Sequence, residues 1–291
     1  MQNAQLKHVL TGVILLAILF HFNVQNEKHC SDRKYIALLP CEARVSNQLF
    51  NLASGYGIAR RSGRVLHYVF KPTVHIERVY GYVAQILEVF PRLGEDAVIR
   101  YASHASKFVV LNTSCAQNSL YFQDYLPHIR RLLTFSYQIR TQTEVIVARY
   151  GENFTNSMCV HNRQTDFADL KWAAGINDTF NATVRVAQQH NLTRYFLFGD
   201  DQAYLNQLAS MLNEFDGSGE KVAEFSTSSL FEDFYLASRM CSAFLMSSAM
   251  STSGWWMAFF TRDQHSVYYM NDQRQSLGYF ENITNPDDMF L

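Results

Sequence analysis

Several short runs in this chain are apolar with no polar alternation. "YIALL" at 35–39, "FVVL" at 108–111, "YFLF" at 195–198 and "AFLM" at 243–246 would bury both sides of an extended backbone. Successive side chains of a strand point to opposite faces, so a run of this kind needs cover above and below. Parallel sheets flanked by helices supply that cover.

The segments between these runs read as helices. "NQLFNLASGYGIARRSG" (47–63) has Asn47 as the expected N-cap and Gly63 as the stop, with Ala53, Gly55 and Gly57 small enough to let it lie close to a sheet. "YVAQILEVF", "FNATVRVAQQH", "QAYLNQLASML", "LFEDFYLASRM" and "GWWMAFF" continue the pattern, and "RVLHYVF", "SMCVH" and "SVYYM" add strands. Strand–helix alternation in both halves predicts an α/β protein, most simply two Rossmann-like domains facing a cleft. The expected boundary lies near residues 140–155, where a helix gives way to polar loop. That divides the chain into domains at 35–150 and 151–291.

The chain has 291 residues, of which 48% are hydrophobic and 18% charged, which describes a globular protein. A formal net charge of -1 gives no basis for binding nucleic acid by bulk electrostatics. Any phosphate chemistry must therefore use a local site.

The N-terminus predicts an address. Lys7 and His8 precede an apolar run from Val9 to Phe20 that can extend to Val24. A span usually needs roughly 20 apolar residues, so this one is short. No small-x-small cleavage site follows in "HFNVQNEKHC". The reading is an uncleaved signal anchor at 9–24 behind a cytosolic tail (1–8), with a short stem at 25–34; a cleaved signal is the alternative. Both routes enter the secretory pathway. Six N-x-S/T sequons, at Asn112, Asn153, Asn177, Asn181, Asn191 and Asn282, suit a lumenal glycoprotein. The five cysteines are too scattered for a disulfide scaffold; one or two bridges are expected, with Cys159 and Cys241 read as buried apolar thiols.

"SMCVHNRQTDF" (157–167) concentrates the chemistry. An apolar strand runs into His161, Asn162, Arg163, Gln164, Thr165 and Asp166, and ligands of α/β sheets bind beyond the carboxyl ends of strands. Arg163 can take a phosphate in a bidentate contact, or simply pair with Asp166. "SSAMSTSGWW" places Ser251, Thr252, Ser253 and Gly254 at a helix start, which is either an anion site or an ordinary cap. Asp200 and Asp201 follow a strand and read as caps of the next helix more readily than as metal ligands.

These stretches together resemble glycosyltransferase family 11, the α-1,2-fucosyltransferases. The family's H-x-R-R-x-D motif stands here as His161-Asn162-Arg163-Gln164-Thr165-Asp166. "ARVSNQLF" is similar to its G-x-L-G-N-Q-x-F segment, and "LYFQDYLPHIRRLLTF" to its G-Y-F-Q-S-x-x-Y-F stretch. "YFLFGDD" is similar to an F-S-D-D strand end, and "STSGWW" to S-T-F-x-W-W. The likeness runs from Tyr35 to Tyr269.

The resemblance implies a GT-B-like fold with GDP-fucose held by the C-terminal domain. It implies inverting transfer to a galactose hydroxyl of a glycan, with no cofactor and no required metal, by a type II single-pass Golgi enzyme. By carry-over, His161, Arg163, Asp166, Ser251 and Thr252 would form the donor site. The chain departs from the motifs at Gln164, which stands in place of the second arginine. It departs again at Ala43 and Ser46, in place of glycines, and at Ser253, in place of phenylalanine. Asp166, Glu42 and His67 are the candidate general bases, and none is singled out. The alternative is a non-catalytic lumenal relative that binds nucleotide or glycan without transfer.

Overall fold

The computed structural model describes residues 34–39, 41, 43–68, 77–96, 108–111 and 115–270. The expected anchor at 9–24, Glu42, and the sequons at Asn112 and Asn282 lie outside the described residues. Among the described residues no helix is long and apolar enough to cross a membrane.

The apolar runs form two parallel sheets, but the run at 108–111 is not buried on both sides as expected, since Val109 and Val110 are exposed at the sheet's edge. In the first, β1 (Tyr35–Leu38) lies between β2 (Val65–Tyr68) and β3 (Phe108–Leu111). The second contains β4 (Ser157–Asn162), β5 (Tyr195–Gly199), β6 (Ala223–Phe225), β7 (Cys241–Met246) and β8 (Val267–Tyr269) in the order β6-β5-β4-β7-β8. Helices α1 (Val45–Arg61), α2 (Glu77–Val89), α3 (Pro91–Asp96), α4 (Leu126–Leu132) and α5 (Tyr137–Tyr150) accompany the first sheet and lead to the second. Helices α6 (Thr165–Asp169), α7 (Ile176–Gln189), α8 (Gln202–Asp216), α9 (Leu230–Met240) and α10 (Thr252–Phe260) connect the strands of the second sheet.

The chain winds outward from β4 through β5 to β6, then returns to β4's other side for β7 and β8. Strand order therefore reverses between β4 and β7, where the crossover connections diverge and leave a crevice at the carboxyl ends. The first sheet has the same reversal between β1 and β3.

Both faces of the second sheet are covered, as its unbroken apolar strands require. Phe196, Phe198, Phe244 and Met246 enter a large core with Phe50, Phe90, Phe122, Phe234, Trp255 and Trp256. Met158, Val160, Leu197, Ala243 and Leu245 face the other way, onto Val184, Ala187, Leu205, Leu208 and Leu212. The large core joins the two sheets, because Phe50 of α1 sits 4.6 Å from Trp255 and 4.9 Å from Trp256 of α10, centroid to centroid. Burying one such ring contributes about 1.5–3 kcal/mol. The Trp256 indole N–H also donates to the Ser46 carbonyl at 3.0 Å, so the first turns of α1 and α10 abut.

Helix α1 ends and packs as expected but starts elsewhere. Gly63 has φ +64° just past the helix, as the stop signal requires, and a Cβ at Gly55 would lie 2.7 Å from Leu38 of the sheet. The helix begins earlier than expected, with Arg44 in the cap position, and Asn47 instead accepts a hydrogen bond from Gln117 at 2.8 Å. Neither Ala43 nor Ser46 has positive φ, so neither position needs a glycine's backbone freedom.

Cys159 and Cys241 are not thiols. They form a disulfide between β4 and β7, with Cα atoms 5.4 Å apart. Sequence spacing could not show this, because the parallel register makes neighbours of residues 82 positions apart. A second bridge, Cys41–Cys115, joins the segments that follow β1 and β3. Each disulfide thus ties the pair of strands that flanks its own sheet's reversal. Replacing Cys159 and Cys241 together by alanine is expected to lower unfolding stability by about 4 kcal/mol, given a separation of 82 residues. Urea unfolding monitored by tryptophan fluorescence would measure it, and an unchanged midpoint would contradict the role assigned to the bridge.

Candidate functional site

The carboxyl ends of β4 and β7 are stitched together. The Ser247 N–H and hydroxyl both donate to the His161 carbonyl at 3.0 Å, and Asn162 Nδ2 donates to Ser247 Oγ at 2.7 Å. The Arg163 N–H donates to Ser248 Oγ at 3.1 Å. These bonds fix where the chain leaves the sheet and so aim Arg163.

The Arg163 side chain is held at one nitrogen. Its Nε donates to Asp166 Oδ1 at 2.7 Å and approaches Asp200 Oδ2 at 3.1 Å. Among the described residues the two terminal Nη groups make no further ion pair or hydrogen bond, which leaves the planar fork to meet an anion. Asp200, at the end of β5, also accepts the Gln164 N–H at 2.8 Å and the Thr165 hydroxyl. Asp200 therefore does not cap the next helix. Asp201 does, accepting the Ala203 and Tyr204 N–H groups at 2.9 and 3.0 Å. Asp166 reaches across to a second cation, Arg44 at the start of α1, at 3.2 Å.

A cavity of about 300 Å³ opens beside this cluster. Arg44, Ser46, His161, Arg163, Asp200, Asp233 and Ser253 line it. His161 is fully buried, and burial depresses its pKa to about 4 although Asp200 pulls the other way, so the ring is neutral at pH 7. Among the described residues its buried Nδ1 has no hydrogen-bond partner, and it faces Gly254, where an added Cβ would lie 2.6 Å away. Asp233 is buried in the first turn of α9, and burial raises its carboxyl to about 8, opposed by the Ser226 hydroxyl that donates to it. A buried carboxyl of this kind in a cleft marks a functional candidate on physical grounds.

Not every expected residue joins the cavity. Asp166 sits on the rim between two guanidinium groups. His67 lies in β2, away from the cavity lining. Ser251 is the N-cap of α10, its Oγ accepting the Gly254 N–H at 3.3 Å, and Thr252 opens that helix; neither lines the cavity. Gln164, in the place of the motif's second arginine, turns its amide to the Ala174 carbonyl at 3.0 Å. Among the described residues no group of three or more His, Cys, Asp or Glu side chains could hold a metal. Asn177 and Asn181 are exposed on α7, one turn apart, and Asn191 is exposed just beyond that helix.

Sequence reasoning missed Arg44 and Asp233 as site residues. Arg44 sits within a recognised segment but carries no motif of its own. Asp233 reads as an ordinary helix-start acid beside Glu232, and only its burial sets it apart.

No protein-family model matches the chain. Its sequence is similar to a Galactoside 2-alpha-L-fucosyltransferase of Caenorhabditis elegans, 27% identical over 176 residues, which is 60% of this chain and 48% of that protein. The chain thus spans about half the length of that relative. It is also similar to a Caenorhabditis elegans protein provisionally named galactoside 2-alpha-L-fucosyltransferase svh-11, at 24% identity over 84% of this chain and 73% of that protein. Its fold is similar to that of POFUT1 in complex with GDP-fucose, with a TM-score of 0.56 at 11% identity, covering 83% of this chain and 98% of that one. The chain is thus similar in sequence to proteins named as galactoside 2-alpha-L-fucosyltransferases, and its fold is similar to that of POFUT1.

Gly254→Ala tests how tightly α10 packs on the site. The substitution is expected to destabilise the protein by about 1–3 kcal/mol, because the His161 ring is buried and cannot retreat. Gly81→Ala, on α2 with nothing within 4 Å of the added Cβ, is expected to stabilise slightly. Thermal unfolding of the two variants should shift in opposite directions.

Proposed function

We propose that this protein is a glycosyltransferase that moves fucose from GDP-fucose to a galactose hydroxyl of a glycan, with inversion and without a metal. The observation that carries the reading is Arg163, gripped at Nε by two carboxylates beside a cavity at the strand-order reversal of the second sheet. A guanidinium fixed at Nε presents both Nη groups in one plane, which matches two phosphate oxygens. The relatives named as fucosyltransferases and the GDP-fucose bound to the similar POFUT1 structure support the choice of donor.

Arg44 supplies the second positive charge that Gln164 lacks. It comes from the N-terminal half and shares Asp166 with Arg163, so the two guanidinium groups stand on either side of one carboxylate. As the donor bond breaks, charge grows on the diphosphate, and fixed cations stabilise it without reorganising. The N-terminus of α10, opening at Thr252 behind its Ser251 cap, adds partial positive charge.

Asp233 suits the nucleobase end of the donor. An ionised carboxylate can accept the paired N–H groups of guanine, and that bond would favour its charged form. Since burial holds the free carboxyl near 8, ionising it for binding costs more as pH falls. The proposed setting is the Golgi lumen behind the 9–24 anchor, with glycans on exposed sequons such as Asn177 and Asn181.

Purified full-length protein should transfer fucose to galactose-terminated glycans in the presence of EDTA. Arg163→Ala should lower kcat/KM by roughly 10- to 150-fold, the equivalent of a lost charged hydrogen bond, and Arg44→Ala by less. GDP affinity should weaken below pH 8 by at most about tenfold per unit, and Asp233→Asn should flatten that dependence. Full activity in Arg163→Ala would refute the phosphate role.

A further inference from the structure

Two departures from the family motifs meet in space. Ser46 stands where the G-x-L-G-N-Q-x-F pattern has its second glycine, and Ser253 where S-T-F-x-W-W has phenylalanine. They are 207 residues apart, yet their hydroxyl oxygens lie 2.9 Å from each other, and both residues line the cavity beside Arg163. Ser46 is held by the indole bond from Trp256 to its carbonyl, and Ser253 by its place in the first turn of α10. The pair is therefore a fixed feature of the cavity wall and joins the N-terminal half to the C-terminal half.

The two changes fit each other. A glycine opposite a phenylalanine makes an apolar wall, whereas two serines make a smaller, polar one. One hydrogen bond between the hydroxyls consumes one O–H and one lone pair, leaving one donor and several lone pairs. The neighbouring wall is apolar, formed by Val45, Leu230 and Met257, so the polarity is local. A ligand group that covers this spot must bring a hydrogen-bonding partner or leave the hydroxyls unsatisfied.

Resting on the glycosyltransferase reading, we infer that the Ser46–Ser253 pair is a sugar-hydroxyl subsite that helps to set which sugar this cavity accepts. The hydroxyl could belong to the donor's fucose or to the acceptor's galactose, and both present the same chemistry to the pair.

The test uses full-length Ser46→Ala and Ser253→Ala, together with the double variant Ser46→Gly/Ser253→Phe that restores the motif residues. Affinities for GDP, for GDP-fucose and for a galactose-terminated glycan are measured by calorimetry, with thermal unfolding to confirm folding. If the pair binds the donor sugar, GDP-fucose affinity falls about tenfold in the alanine variants while GDP affinity stays within twofold. If it binds the acceptor, the same loss appears for the glycan alone. Equal losses for GDP and GDP-fucose, with glycan binding unchanged, would overturn the inference, as would no loss for any ligand. Failure of the unaltered protein to bind GDP would overturn the glycosyltransferase reading and this inference with it. Intact GDP binding without a sugar-dependent loss would overturn this inference alone.

Discussion

Arg163 Nε is shared by Asp166 and Asp200, and the geometry of the site follows from that contact. Each partner comes from a different element. Arg163 follows β4, Asp200 follows β5, and Asp166 sits in the first turn of α6. The pair of carboxylates also recruits the loop that carries them, since Asp200 takes the Gln164 N–H and the Thr165 hydroxyl. Through Asp166 the contact extends to Arg44 and so to the other half of the chain. Two arginines and two carboxylates leave the cluster with little net charge, so it can stay folded without a ligand. Its binding power lies in direction, through Nη groups whose orientation is already fixed.

The site is costly to the fold, and the scaffold around it shows how that cost is met. His161 is buried in neutral form with an Nδ1 that has no partner among the described residues, and Asp233 is buried with its carboxyl raised to about 8. Both disfavour the charged state that water would support, so His161 weakens the fold as pH falls below its ordinary value near 6.5. Asp233 does the reverse, weakening it as pH rises from the usual carboxylate range towards 8. Against these terms stand the aromatic core shared by α1 and α10 and the two disulfides at the strand-order reversals. The strongest constraints in the structure thus lie where the binding residues need the least freedom.

Much of this arrangement is legible in the sequence because it is local. Short runs rich in apolar residues identify the strands of both parallel sheets, apart from the three-residue β6 at Ala223–Phe225, which is too short to show a pattern. Helix α9 begins and ends where its sequence indicates, at Leu230 and Met240, and Gly63 stops α1 as its position suggests. The cluster from His161 to Asp166 is visible because polar residues crowd a strand end. What the sequence hides is adjacency. Cys159 with Cys241, Arg44 with Asp166, and Ser46 with Ser253 are each brought together by strand order or by the α1–α10 contact. No local period encodes such pairs. Asp233 is hidden for a different reason, since its environment, rather than its position in the helix, distinguishes it.

The most direct test of this account is a crystal structure of the protein grown with GDP. The account predicts a diphosphate within about 3 Å of the Arg163 Nη groups, with Arg44 beside it and the guanine towards Asp233. GDP bound elsewhere, or seated in this cavity with Arg163 turned away from the phosphates, would contradict it.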